Sequence, residues 1–217
     1  MTGKNHVVTN TCSVICIGSG VFWLNRFAEN LKFMMLTGNN NLTTNVPFLQ
    51  SVIIGCNNTI QQFLAFTLLN MGDTNRVLFG IVAAAAFYIG TLFPDIDNEN
   101  SMLGEFFHLP IEHRTWTHAI WLPILFSLLA LIRPIMWWFV LGYIGHLLWD
   151  NASRGGVCFF YPISNYRYFG NSGAKVKDGH FVHLYRTGKP SEGVVVGIVV
   201  SFTILLLTVD VCCLFLN

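Results

Sequence analysis

Two stretches limit what this chain can fold into. Residues 77–93, VLFGIVAAAAFYIGTLF, carry no charged side chain, and residues 193–216, GVVVGIVVSFTILLLTVDVCCLFL, carry one, Asp210. Runs of this length and polarity match hydrocarbon about 30 Å thick. In that medium every backbone N–H and C=O must be paired inside the protein, which here means helices. Composition agrees: 53% of residues are hydrophobic and 11% charged, where a soluble domain carries about a quarter charged. The mean hydropathy is +0.54. The expected fold is all-α, a polytopic membrane helical bundle with about five to six apolar helices. The whole chain, 1–217, forms one membrane-embedded domain in contact with a lipid bilayer. A net charge of +1 gives no basic footprint for nucleic acid.

The spans follow from composition shifts. Residues 6–24 form a moderately apolar first segment. It has no charged leader or small-residue cleavage site, and is expected to be retained as a helix. Residues 25–45 are polar, a loop or surface helix ending in a turn-rich linker. Residues 47–70 are apolar but interrupted by Asn57, Asn58, Gln61 and Gln62. Residues 76–93 are a cleaner span, with Gly80, Gly90 and Ala83 to Ala86 allowing close helix contact. After Pro94 and a connection to Thr117 come two short apolar stretches, 119–132 and 135–150. They form a helical hairpin with its tip at Arg133-Pro134, returning Asp150 to the side where His118 starts. Residues 151–192 hold six of the twelve Lys and Arg residues. Positive charge concentrates on the cytoplasmic side, so this loop and the 95–118 connection are expected on the cytoplasmic face. The six cysteines have no CxxC spacing and read as small buried hydrophobes.

Chemistry concentrates between the spans. Asp95 and Asp97, in PDID, follow a helix stop, where acids are disfavoured by the helix dipole. His113 and His118, in HRTWTH, precede the next apolar run. His146 and Asp150, in GHLLWD, are four apart and share a helix face. With His6 they make a candidate metal set of four imidazoles and three carboxylates. That mixture suits zinc, or else manganese or iron, over the all-oxygen shells of magnesium and calcium. Seven candidates exceed one tetrahedral site and leave room for one to three ions. Arg114 is placed to clamp an anion bidentately, with an interface anchor as the equal alternative. Asp97, Arg114 and His118 are the expected catalytic residues. His108, His180 and His183 read as loop residues, Glu105 and Glu112 as possible acid groups, and Asp210 as an anomalous intramembrane acid.

The ordered motifs resemble the YdjM-like family. They are the N-terminal His6, then PDID at Pro94, Asp95 and Asp97 with Ser101, then Arg114, Thr117 and His118 of HRTWTH. Gly145, His146 and Asp150 follow, then Gly156, Val157, Tyr161 and Pro162. The resemblance covers residues 1–162, leaving 163–192 as a cytoplasmic loop and 193–217 as a C-terminal helix. It implies a bacterial or archaeal inner-membrane protein and a metal-dependent hydrolase, distantly similar to zinc-dependent phospholipase C and P1-type nucleases. Asn98 stands where relatives commonly have His, and Glu105 where a basic residue is common.

One geometric conflict is visible. Three crossings before Asp95 would put His6 on the opposite face, so either 47–70 does not span or His6 is no ligand. The polar insert favours the first. Two functions fit: a hydrolase cleaving a lipid or lipid-linked phosphoester, or a non-catalytic protein with a structural metal site or ion pathway that docks a partner through its loop. The candidates cluster at one membrane edge instead of running through the spans, which favours hydrolysis.

Overall fold

The computed structural model describes residues 2–36, 47–68, 76–107, 109–167 and 184–215; His108, His180 and His183 lie outside the described residues. The regular elements among them are helices, with no strand. The helices are α1 (Gly3–Leu36), α2 (Pro47–Leu68), α3 (Arg76–Leu92), the single turn α4 (Gly104–Phe107), α5 (Trp121–Ile132), α6 (Met136–Asn151) and α7 (Pro190–Phe215). Three are long and apolar enough to cross a membrane: Gly3–Asn30, Leu78–Asp97 and Pro190–Cys213. Their apolar side chains are largely outward, with Ile81 at 62% and Ile198 at 63% exposure, as lipid-facing helices require.

α1 and α7 run parallel. Asn5 donates to Glu192, Cys16 meets Thr203, and the Trp23 indole donates to Asp210 at 2.6 Å, each pair separated by 187 residues. A constant offset at three levels means one register along the whole contact. The Trp23 bond gives Asp210, the anomalous intramembrane acid, its partner. Both helices therefore start on one membrane face, with Glu192 tying them there by accepting from Thr2 N at 2.8 Å and Gly188 N at 2.6 Å.

α3 and α6 also run parallel, but toward that face. Gly90 packs on the Phe139 backbone, and Gly142 on Phe87 and Thr91, so closely that a Cβ at either position would overlap main-chain atoms. Phe139, Tyr143, Leu147 and Val157 form the buried core beside this contact, with Phe93 and Phe126 against it. Gly80 takes no part in it, because a Cβ there meets open space, and of the alanine run Ala84 and Ala85 face outward. Close packing needs a small residue only where the axes meet, and they meet at the site end of α3.

α5 supplies the return path. The hairpin turns at Arg133, with Arg133 N bonded to Leu129 O and Met136 N to Arg133 O. α2 is not among the candidate spans. Asn57 in its middle donates to Asn25 of α1 at 3.1 Å, and Asn25 lies about 28 Å along α1 from His6 at 1.5 Å per residue. α2 thus packs at the far end of α1, and the chain reaches Asp95 after two crossings. This removes the conflict over His6.

The glycine contact gives a test. Gly142→Val should lower the thermal stability of the detergent-solubilised protein by about 1–3 kcal/mol through overpacking, while Gly80→Val should leave the melting temperature nearly unchanged. Equal effects at both positions would contradict the packing described.

Candidate metal centre

The C-terminal ends of α3 and α6 converge at the N-terminal end of α1, and the connection between α3 and α5 folds over them. Pro94 opens a five-residue 3-10 turn, Phe93–Asp97, which ends α3 and turns both aspartates inward. Ser101 fixes that turn: its hydroxyl donates to Asp95 O at 2.6 Å and accepts from Gly104 N at 2.9 Å. His118 closes a second short turn, Trp116–His118, with Tyr143 OH donating to Thr117 O from α6.

Four donors meet there, all buried: Asp95, His118, His146 and Asp150. His118 Nε2 lies 3.8 Å from Asp95 Oδ1 and 3.4 Å from Asp150 Oδ2; His146 Nε2 lies 3.5 Å and 3.8 Å from the same two atoms. Neither Nε2 has a hydrogen-bond partner. Their other nitrogens are occupied. His146 Nδ1 is 2.7 Å from Thr91 O, one of the last carbonyls of α3, which has no partner within its own helix. His118 Nδ1 is 3.0 Å from the Thr117 hydroxyl. A proton on Nδ1 leaves the lone pair on Nε2 facing the carboxylates. Burial pushes the His118 pKa below its ordinary value and keeps the ring neutral.

These observations fit a metal ion. Bonds of 2.0–2.2 Å in a tetrahedron separate donors by about 3.3–3.6 Å, close to the spacing found. Two carboxylates at the negative ends of two helix dipoles carry more negative charge than Arg114, 3.0 Å from Asp150, offsets, which favours a further cation. His118, His146, Asp95 and Asp150 would hold it.

The other predicted residues take distinct places. His6 Nε2 is 3.0 Å from Asp150 Oδ1, and its ring stacks on His146 with centroids 3.8 Å apart. It thus sits against the four donors and orients one of them. Asp97 forms a second group with His113 and His118, but both its oxygens are engaged. Oδ1 meets His113 Nδ1 at 2.7 Å, while Oδ2 accepts from the Thr117 hydroxyl at 2.5 Å and from Arg114 N at 3.2 Å. His113 turns Nε2 toward Asp95 Oδ1 at 4.0 Å, its side chain 35% exposed. Arg114, expected as an anion clamp, instead ion-pairs through Nε with Asp150 Oδ2 at 3.0 Å and donates from Nη1 to Ser153. Its backbone sits in the left-handed region at φ 66°, a conformation that lets one residue offer both its N–H to Asp97 and its guanidinium to Asp150. Glu105 and Glu112 are exposed.

Sequence reasoning missed Thr91, Asn10 and Tyr185. Asn10 bridges three helices, donating to Thr91 Oγ1 and Gly142 O. Gly145 leaves it room, since a Cβ there would lie 2.8 Å from Asn10 Oδ1. Tyr185, fully buried, donates to Trp149 O at 2.5 Å and returns the chain to the end of α6. A threonine four residues before Asp95 was the one available hint for Thr91.

A family model for the YdjM inner membrane protein matches residues 60–212. The chain belongs to the YdjM family. The match contains all four donors and most of α7, and it starts after His6, so the family region begins later and ends later than the motifs suggested. No curated protein and no solved structure matches the chain.

Donor and orienting roles separate experimentally in this YdjM-family centre. Elemental analysis should find a transition metal in purified wild type and none in Asp95→Ala or His146→Ala. His6→Ala should still bind, with affinity about 10–100-fold weaker. Full stoichiometric binding by both donor variants would exclude the four-residue centre.

Proposed function

We propose that the protein is a membrane-bound metal-dependent hydrolase that cleaves a phosphoester at headgroup level, on the cytoplasmic face. The observation supporting this most directly is the pair of buried Nε2 atoms of His118 and His146, which converge on two carboxylates at a membrane edge without a hydrogen bond to either. The cytoplasmic assignment rests on the Lys- and Arg-rich 151–192 connection beside the site. A single ion, zinc by its mixed nitrogen and oxygen donors, accounts for the four residues. When bound, it supplies Lewis acidity toward water and toward a phosphoryl oxygen.

The residues do the rest. Asp95, His118 and His146 would hold the ion. Asp150 shares Oδ2 with Arg114 and is the donor placed to yield to water or substrate. Asp97 holds the His113 Nδ1 proton, as the carboxylate of a carboxylate–imidazole pair, and leaves Nε2 at the half-exposed edge of the site. In hydrolysis the water oxygen would bond to phosphorus as the phosphorus–oxygen bond to the alcohol breaks; the Asp150 carboxylate lies at the site to take the water's proton, and His113 Nε2 would give one to the departing alkoxide. Arg114, once released from Asp150, offers its guanidinium to the phosphoryl oxygens. The catalytic set is therefore His113 and Arg114 beside the donors, with Asp97 as the positioning group for His113.

A structural metal site is the second reading, favoured by the burial of all four donors, since structural zinc sites are closed. The two separate by turnover. In nanodiscs, the zinc-loaded protein should release phosphate or an alcohol from a panel of lipid phosphoesters. His113→Ala should slow this about 10²–10⁴-fold with metal content intact. A metal-replete wild type that cleaves nothing in the panel, or cleavage that survives Asp95→Ala, would leave the structural reading.

A further inference from the structure

Beside the metal centre lies a cleft of about 600 Å³ lined by His113, Arg114, Arg154, Arg167, Arg186 and Lys189, with Gly155 and Thr187 completing the wall. Five Lys or Arg side chains and no acid line it among the described residues, in a chain of net charge +1. Of the acids beside it, Asp97 is bonded to His113 and Arg114 N of the wall itself, Asp150 pairs with His6 and Arg114, and Glu192 accepts from Thr2, Asn5 and Gly188, while Glu112, next to His113, is exposed outside the lining.

The backbone that carries these cations is tied down. Arg154 N bonds Tyr185 O at 2.9 Å, Arg186 N bonds Ser191 Oγ at 3.1 Å, and Lys189 N bonds Arg186 O at 3.2 Å. Arg167 reaches across to Gly155 O at 3.2 Å. Gly155 leaves room for the Arg114 guanidinium, which a Cβ there would displace. Like charges gathered around one open cleft repel each other and raise a positive field there, which a bound anion relieves. Arginine forks match phosphate geometry, and charge-assisted bonds to it are short and strong. His113 and Arg114 belong both to this wall and to the metal centre, so an anion in the cleft lies at the entrance to the four donors.

We propose that the cleft binds a phosphate group carrying only negative charge, a phosphomonoester or diphosphate, and discriminates against phosphoesters that also carry an amine. A zwitterionic headgroup would bring its ammonium against five cationic side chains in a wall that, among the described residues, holds no carboxylate. The proposal takes from the hydrolase reading what becomes of the bound group; the binding does not depend on that reading.

The test uses the full chain in detergent micelles, with short-chain phosphatidic acid and phosphatidylcholine as lipid probes and inorganic pyrophosphate as the soluble probe, followed by calorimetry. Phosphatidic acid should bind saturably at one site, with phosphatidylcholine at least about tenfold weaker, corresponding to the loss of one such contact. The triple variant R154Q/R186Q/K189Q should lose affinity about a hundredfold, while Arg133→Gln at the far end should bind as wild type. Binding of phosphatidic acid without competition from pyrophosphate assigns the cleft to a lipid headgroup; tight pyrophosphate binding assigns it to a soluble phosphate. Binding should persist in Asp95→Asn, whose failure to hold metal concerns the hydrolase reading alone. Equal affinity for both lipids, wild-type affinity in the triple variant, or no saturable binding of either anionic probe would overturn the proposal.

Discussion

The backbone contact between α3 and α6 at Gly90 and Gly142 is the constraint on which the rest depends. Two helices lying this close and running the same way bring their carbonyl ends to one place, and a chain must travel back before it can repeat a direction. α5 is that return. Because it starts where α3 ends and α6 finishes, His118 lands between Asp95 and the His146–Asp150 pair. The inward side chains at that point are acids facing the negative ends of two dipoles, an arrangement that water solvates poorly when buried and a cation stabilises.

Around this pair the remaining helices act as bracing. α1 enters with His6 against Asp150 and Asn10 against Thr91 and Gly142. α7 holds α1 in register from Glu192 to Asp210. The YdjM family match covers α3, α5, α6 and most of α7 but not α1. The helix outside the match thus contributes orienting contacts, and the four donors all come from inside it.

Much of this was readable from residues. The hairpin at Arg133-Pro134 followed from the length of two apolar runs. The gathering of Asp95, His118, His146 and Asp150 followed from that hairpin. The polar insert at Asn57 indicated that α2 does not cross. What was not readable is the division of labour among seven candidates, because it depends on which oxygen or nitrogen a neighbour occupies. Asp97 and Asp95 look alike in PDID, yet Thr117, Arg114 and His113 engage Asp97 on both oxygens and leave Asp95 Oδ1 facing three imidazoles. Arg114 was legible as a cation near the site. Its pairing with Asp150 arises from a left-handed backbone that an arginine does not advertise. The basic cleft joins residues as distant as 113 and 189, so only the folded chain reveals it.

The hairpin has a consequence for the surrounding lipid. α5 has 12 residues and α6 has 16, or about 18 and 24 Å of helix against about 30 Å of hydrocarbon. Exposed Arg133 at the tip cannot rest in the acyl region and draws polar headgroups of the opposite leaflet down to it. Hydrocarbon matched to α5 and α6 would be thinner than hydrocarbon matched to α1 and α7. The short hydrophobic length thus falls on the hairpin that carries His146 and Asp150, and the longer spans lie away from it.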